Sequence, residues 1–123
     1  MESGCMDQAA MQRWQDAATA GPMHELLASR VGKWKTTTKV WMNPAGEPSV
    51  SEGEAVIEPV LGGRFTRETS RGSMMGMPVE SIYYLGYNNV RKQFVTCSFS
   101  GFGTGITVGQ GALSFDKKTL TFI

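Results

Sequence analysis

One histidine, two cysteines and almost no charge imbalance remove several functions before any motif is read. With His24 as the only imidazole, neither a histidine-dependent triad nor a multi-histidine metal site can be assembled within one chain, and no Cys–His pair is secure. No metal and no cofactor is expected. Cys5 and Cys97 form neither a C-x-x-C pair nor a metal spacing. They read as free thiols of a reducing cytoplasm rather than as a disulfide. Twelve basic against eleven acidic residues leave a net charge of +1. The basic stripe of a nucleic-acid binder is missing. No apolar run approaches the roughly 20 residues that span a bilayer. Met1 to Ala10 has no basic n-region and no apolar h-region, so no secretory signal is read. The expectation is a cytoplasmic protein with neither a nucleic-acid nor a membrane partner.

What is present is β-structure. The 123 residues suit one domain, and a hydrophobic share of 41% suffices for a packed core. Fifteen glycines fall mostly between β-branched and aromatic residues. That is the pattern of turns, bulges and bent strands rather than of a linker. A helix is expected over Asp7 to Thr19, capped by Asp7, with Ala10, Met11, Trp14, Ala17 and Ala18 on one face, packing on a barrel end. Gly21-Pro22 stops it. Residues 1–22 thus form a packing helix and 23–123 the barrel domain, which opens with a helical turn near Met23 to Ser29.

From Lys33 the period becomes two. Trp34, Thr36, Thr38 and Val40 share one face; Lys33, Lys35, Thr37 and Lys39 share the other. Trp41 breaks the alternation and reads as a bulge or an exposed aromatic. Asn43-Pro44-Ala45-Gly46 turns the chain. Ser51 to Val60 sets Ala55 and Ile57 against Glu52, Glu54 and Glu58, an acidic face suited to the lysine face before it. Further strands are read at Phe65–Gly72, Val79–Tyr87, Gln93–Ser100, Thr104–Leu113 and from Thr119, with a hairpin tip at Met74 to Pro78 and a turn at Asp116-Lys117-Lys118. Seven short strands with tight turns predict an all-β meander, and the even spacing favours an antiparallel up-and-down barrel over a sandwich.

Gly32-Lys33-Trp34 is a G-x-W motif at the start of the first strand. Its placement resembles the calycins, lipocalins and fatty-acid-binding proteins among them, which implies that Trp34 is a structural plug at the closed barrel end. A longer ordered set is similar to the bacterial domain-of-unknown-function 1579 family. It begins with Gly21-Pro22-Met23-His24-Glu25-Leu26-Leu27-Ala28 and Trp41-Met42-Asn43-Pro44. Leu61-Gly62-Gly63-Arg64-Phe65, Met75-Gly76-Met77-Pro78 and Leu85-Gly86-Tyr87-Asn88 follow. Gly103-Thr104-Gly105-Ile106 and Lys118-Thr119-Leu120-Thr121-Phe122 complete it. The resemblance implies a lipocalin-like barrel and no established activity. Family members usually run on for several strands past the last of these motifs, whereas this sequence stops at Ile123. Small closed barrels need about eight strands. Seven are read, so the barrel is expected to be open, or completed by a second copy pairing with a free edge as a homodimer.

Candidate site residues follow from the strand faces. Arg67, Thr69 and Arg71 share a face with Phe65. If that face is internal, the arginines need anionic partners, from Glu80, Glu68 or an acidic ligand; if a local bulge intervenes, they return to solvent. Tyr83 and Tyr84 point opposite ways, so at most one lines a given cavity, with Phe99 on the next strand. Gly101, Gly103, Gly105, Gly109 and Gly111 read as one strand face, with room for a ligand or for strand bending; without a following helix they are no dinucleotide fingerprint. Met74, Met75 and Met77 suit a ligand mouth or a small hairpin cluster. His24 reads as a capping or surface residue. The leading functional reading is binding of a small hydrophobic or amphipathic molecule, on fold analogy. The alternatives are an interaction module with a filled interior and, third, a calycin-like enzyme.

Overall fold

The computed structural model describes residues 7–114 and 119–122. Cys5, the turn at 116–118 and Ile123 lie outside them. Helix α1 (Gln8–Ala18) and helix α2 (Pro22–Ala28) precede seven strands. These are β1 (Gly32–Val40), β2 (Ser49–Val60), β3 (Phe65–Met74), β4 (Met77–Asn88), β5 (Gln93–Ser100), β6 (Thr107–Leu113) and β7 (Leu120–Phe122). All neighbours pair antiparallel in chain order, as a curled half-barrel. The period-two segments therefore became strands, and the glycine- and asparagine-rich punctuation became turns.

Residues directly opposite in an antiparallel ladder share a face, so the register assigns both faces of the sheet. Ala55 and Ile57 are buried, as their alternation with glutamates requires, and mark the concave face. Opposite them in β3 stand Ser70 and Glu68. The concave face of β3 is thus Thr66, Glu68 and Ser70, with Thr66 only 3% exposed. Phe65, Arg67, Thr69 and Arg71 all face outward in a regular ladder, so no bulge is needed to return the arginines to solvent.

The core lies at one end. Helix α2 lays Leu27 on Leu85 and Phe94, with Met23, Leu26, Tyr87, Leu113, Leu120 and Phe122 around them. Phe94 is 1% exposed and meets the Tyr87 ring edge-on at 4.8 Å. Trp34 differs from its expected role. It stands on the concave face but is 50% exposed, and its indole N–H donates to the Arg30 carbonyl at 2.9 Å. It clasps the α2–β1 turn, while Leu27 and Phe94 close the barrel end. Helix α1 also departs from expectation. Asp7 caps it, accepting from the Ala10 N–H at 2.7 Å, but none of its residues is buried. It is tied to the body at its last turn, where Arg64 donates to the Ala18 carbonyl and Asn89 to those of Ala17 and Thr19.

The glycine run is also revised. Residues 101–106 form a loop, and only Gly109 and Gly111 sit in β6, where both are buried. A Cβ on Gly111 would come within 2.5 Å of the Thr121 carbonyl oxygen, so this glycine permits the close approach of β7. At the sheet edge, two β1 strands laid antiparallel at full overlap would set Lys33 against Lys39. Like charges directly opposite are destabilising, so this one register disfavours pairing through β1.

The β3–β4 hairpin turns on Met75 and Gly76, both with positive φ, +54° and +79°. Two successive positive φ values make the tight turn that prefers Asn-Gly. Methionine gains nothing there from local side-chain hydrogen bonding, whereas asparagine tolerates the left-handed region. Met75→Asn is therefore expected to stabilise the fold, by about 0.5–1 kcal/mol on the scale of such backbone effects. Urea midpoints of the two proteins check this; an unchanged or lower midpoint contradicts the turn assignment.

Candidate functional site: a hollow concave face

On β3 to β5 the concave face loses its apolar bulk at the end away from α2. The row at the closed end is Tyr87, Phe94, Gly111 and Phe122. Next come Thr66, Leu85, Thr96 and Gly109. Beyond these lie Ile57, Glu68, Tyr83, Ser98 and Thr107, then Trp34, Ala55, Ser70, Ser81 and Ser100. A self-filled barrel interior is lined by large branched or aromatic side chains in contact. Serines and threonines cannot reach across a curled sheet, and Trp34 is held at the α2–β1 turn by its bond to the Arg30 carbonyl, so the open half over β3 to β5 is hollow.

Two cavities occupy that half and share Tyr83. The inner one, of 160 Å³, lies between Arg30, Thr66, Glu68, Tyr83, Leu85 and Thr96. Arg30 and Glu68 form an ion pair across it at 3.4 Å. The outer one, of 390 Å³, is bounded by Tyr83, Ser98 and Thr107 and by Phe102, Gly103 and Ile106 of the β5–β6 loop. Among the described residues, no charged side chain lines the outer cavity. The loop above it is pinned by Gly101 N–H donating to the Glu80 carbonyl at 2.9 Å and Phe102 N–H to the Ser100 hydroxyl at 3.2 Å. The arrangement offers aromatic surface, hydroxyls and backbone amides, but no unpaired charge.

Of the residues expected to bind a ligand, Tyr83, Phe99, Gly103 and Gly105 border the outer cavity. Arg67, Thr69, Arg71 and Tyr84 stand on the convex face, a wall away. There Arg67 meets Glu58 at 2.8 Å and Arg71 meets Glu80 at 2.6 Å. Glu58 first, then the Tyr84 hydroxyl, raise the Arg67 guanidinium above its ordinary value, fixing a charge already permanent. The Phe99 ring leans to that side too, 6.3 Å from Tyr84. The cation that does reach the inner cavity is Arg30, which no strand alternation could reveal because it sits in the turn after α2. Thr96, Ser98 and Ser100, spaced by two, were the legible signal for the hollow face.

His24 is buried and committed. Its Nδ1 accepts from the Gly21 N–H at 3.0 Å, so Nε2 carries the proton and donates to the Tyr87 carbonyl at 3.1 Å. It borders a 260 Å³ cavity beside Arg64 and Asn89, yet neither nitrogen is free for a ligand. As the third residue of α2 it returns a bond to the N-cap, half of a capping box, and it ties the helix to β4. His24→Ala orphans two backbone groups and is expected to destabilise by about 2–3 kcal/mol. His24→Gln, able to accept and donate at similar reach, should restore part of the loss; equal losses in the two variants, measured by urea unfolding, would refute the clamp. Among the described residues, no group of three or more His, Cys, Asp or Glu is placed to hold a metal ion.

A model of the family described as "Protein of unknown function (DUF1579)" matches residues 19–123. No curated protein and no solved structure matches the chain.

Proposed function

Because the chain belongs to the DUF1579 family, whose description carries no activity, we propose from its geometry that it is a binding protein. It holds a small, uncharged, partly apolar molecule on the hollow concave face beside Tyr83, in the manner of a lipocalin-like cup. The observation that carries this reading is the emptying of the interior away from α2: Ser81, Ser98 and Ser100 stand where a self-filled barrel needs bulk. Cavities lined by aromatic rings with a few fixed polar groups are what small ligands occupy. Arg30 is already paired with Glu68, so an anionic head group gains no free cation and must compete with a carboxylate. That departs from the acidic ligand end expected at Arg67 or Arg71, which face the other way.

N-phenyl-1-naphthylamine, neutral and fluorescent in apolar surroundings, and its anionic sulfonate counterpart share the same rings. Fluorescence titration with both tests the reading. The neutral probe is expected to bind roughly tenfold tighter, about 1.4 kcal/mol. Absence of binding by the neutral probe contradicts the cup; preference for the sulfonate contradicts the uncharged ligand.

A further inference from the structure

We propose that the inner cavity receives a primary carboxamide as the polar head of the ligand, held between Arg30, Glu68 and Thr66. This assignment rests on the cup reading above and adds the chemistry of its deep end. The two cavities are adjacent. Glu68, Tyr83 and Ser98 stand in one row across the concave face, and Tyr83 borders both spaces. Thr96 of the inner wall and Ser98 of the outer wall are next neighbours on the same face of β5, about 7 Å apart along the strand. An aromatic body in the outer cavity with a short polar head spans that distance.

The inner wall sets the chemistry of the head. Thr66 is 3% exposed and lines the cavity. Among the described residues no hydrogen bond uses its hydroxyl, and no fully sealed side-chain oxygen lacks a partner, so this oxygen opens onto the cavity. Arg30 and Glu68 are joined by a single contact from Nη2 to Oε1 at 3.4 Å, against 2.8 Å and 2.6 Å for the ion pairs of the convex face. A guanidinium carries several N–H donors and a carboxylate accepts at both oxygens, so one long contact leaves both groups with bonding capacity to spare. The 160 Å³ space therefore offers donors at Arg30, an acceptor at Glu68 and a hydroxyl able to do either, with Leu85 as an apolar wall. A carboxamide presents a carbonyl oxygen to the first and an N–H to the second from neighbouring atoms. A carboxylate meets Glu68 as a like charge, and an ammonium group meets Arg30 as one; such juxtapositions are costly. A hydroxyl head has only one atom to share between the two sides. Sites built to bond a polar head reject analogues that lack it.

Isothermal titration calorimetry with a naphthalene carboxamide, the naphthoate and the naphthylmethylammonium ion, all substituted at one ring position, tests it. The carboxamide is expected to bind roughly tenfold tighter than either ion. Thr66→Val keeps the shape of the side chain and removes the hydroxyl. It should lower carboxamide affinity roughly tenfold, without lowering the urea midpoint or the affinity for N-phenyl-1-naphthylamine. Glu68→Gln leaves Arg30 without its carboxylate and should reverse the order, with naphthoate first. A merely structural role for Glu68 would weaken all three compounds alike. If N-phenyl-1-naphthylamine binds the wild type but the carboxamide has no advantage over the ions, the head-group assignment falls and the cup stands. If neither N-phenyl-1-naphthylamine nor the carboxamide binds, both fall. Carboxamide affinity unchanged by Thr66→Val, or an order of ligands unchanged by Glu68→Gln, overturns the assignment as well.

Discussion

Phe94→Ala is expected to lower the free energy of unfolding by about 3–5 kcal/mol, the usual range for removing a buried phenylalanine. Phe94 is 1% exposed and stands where three elements meet. Leu27 of α2 covers it, Tyr87 meets it edge-on from β4, and Gly111 lies opposite it in β6. Gly111 has no side chain to collapse into the hole, so relaxation from β6 is limited. Against a total stability of about 5–15 kcal/mol for a domain, this is a large fraction, and the variant should be partly unfolded at 37 °C. Phe102→Ala is the matched control: its ring is half exposed on the rim loop, and its loss should change stability by less than about 0.5 kcal/mol. Urea unfolding followed by circular dichroism separates the two. Similar losses in both would mean that the core is not concentrated at the α2 end.

Ser98→Phe is expected to weaken binding of N-phenyl-1-naphthylamine roughly a hundredfold, about 2.7 kcal/mol, while leaving the fold as stable or more so. Ser98 lies opposite Tyr83 on one side and Thr107 on the other, in the middle of the concave face. A ring placed there projects into the 390 Å³ cavity, where nothing of the protein's own opposes it. It also forms a cross-strand aromatic pair with Tyr83, worth about 0.2–1 kcal/mol. Filling a true core position by so much would instead cost about 1–3 kcal/mol of stability. The sign of the stability change therefore reports whether the site is hollow, independently of any ligand. Destabilisation with probe binding intact would contradict the account on both counts.

The strands were legible because their alternation and turn chemistry agree. Ala55 and Ile57 against three glutamates, or Trp34 and the threonines against the lysines, leave one way to face the sheet. β3 was not legible in the same way. Its internal face is Thr66, Glu68 and Ser70, and a hydroxyl-lined face does not look internal when apolarity is the guide. Phe65 misled for the same reason, since the convex face carries aromatics of its own at Tyr84 and Phe99. The failure and the site share one cause: the interior near β3 and β5 is kept small and polar. Residues 101–106 read as strand because glycines alternate there with Phe102, Thr104 and Ile106, a period that a glycine-rich loop can show by composition alone. Trp34 and the α1 stripe were assigned to the core on size and spacing. Whether a neighbouring carbonyl holds the indole at the surface, or a helix is tethered only at its last turn, depends on tertiary contacts that no local pattern records.

The central claim is that the cup beside Tyr83 receives a small molecule. Amide chemical-shift mapping of ¹⁵N-labelled protein titrated with N-phenyl-1-naphthylamine tests it most directly. The account predicts saturable shifts centred on Tyr83, Ser98, Gly103 and Thr107, with Arg67, Arg71 and the α1 amides unmoved. Shifts centred on the convex face or on α1, or none at saturating probe, would contradict it.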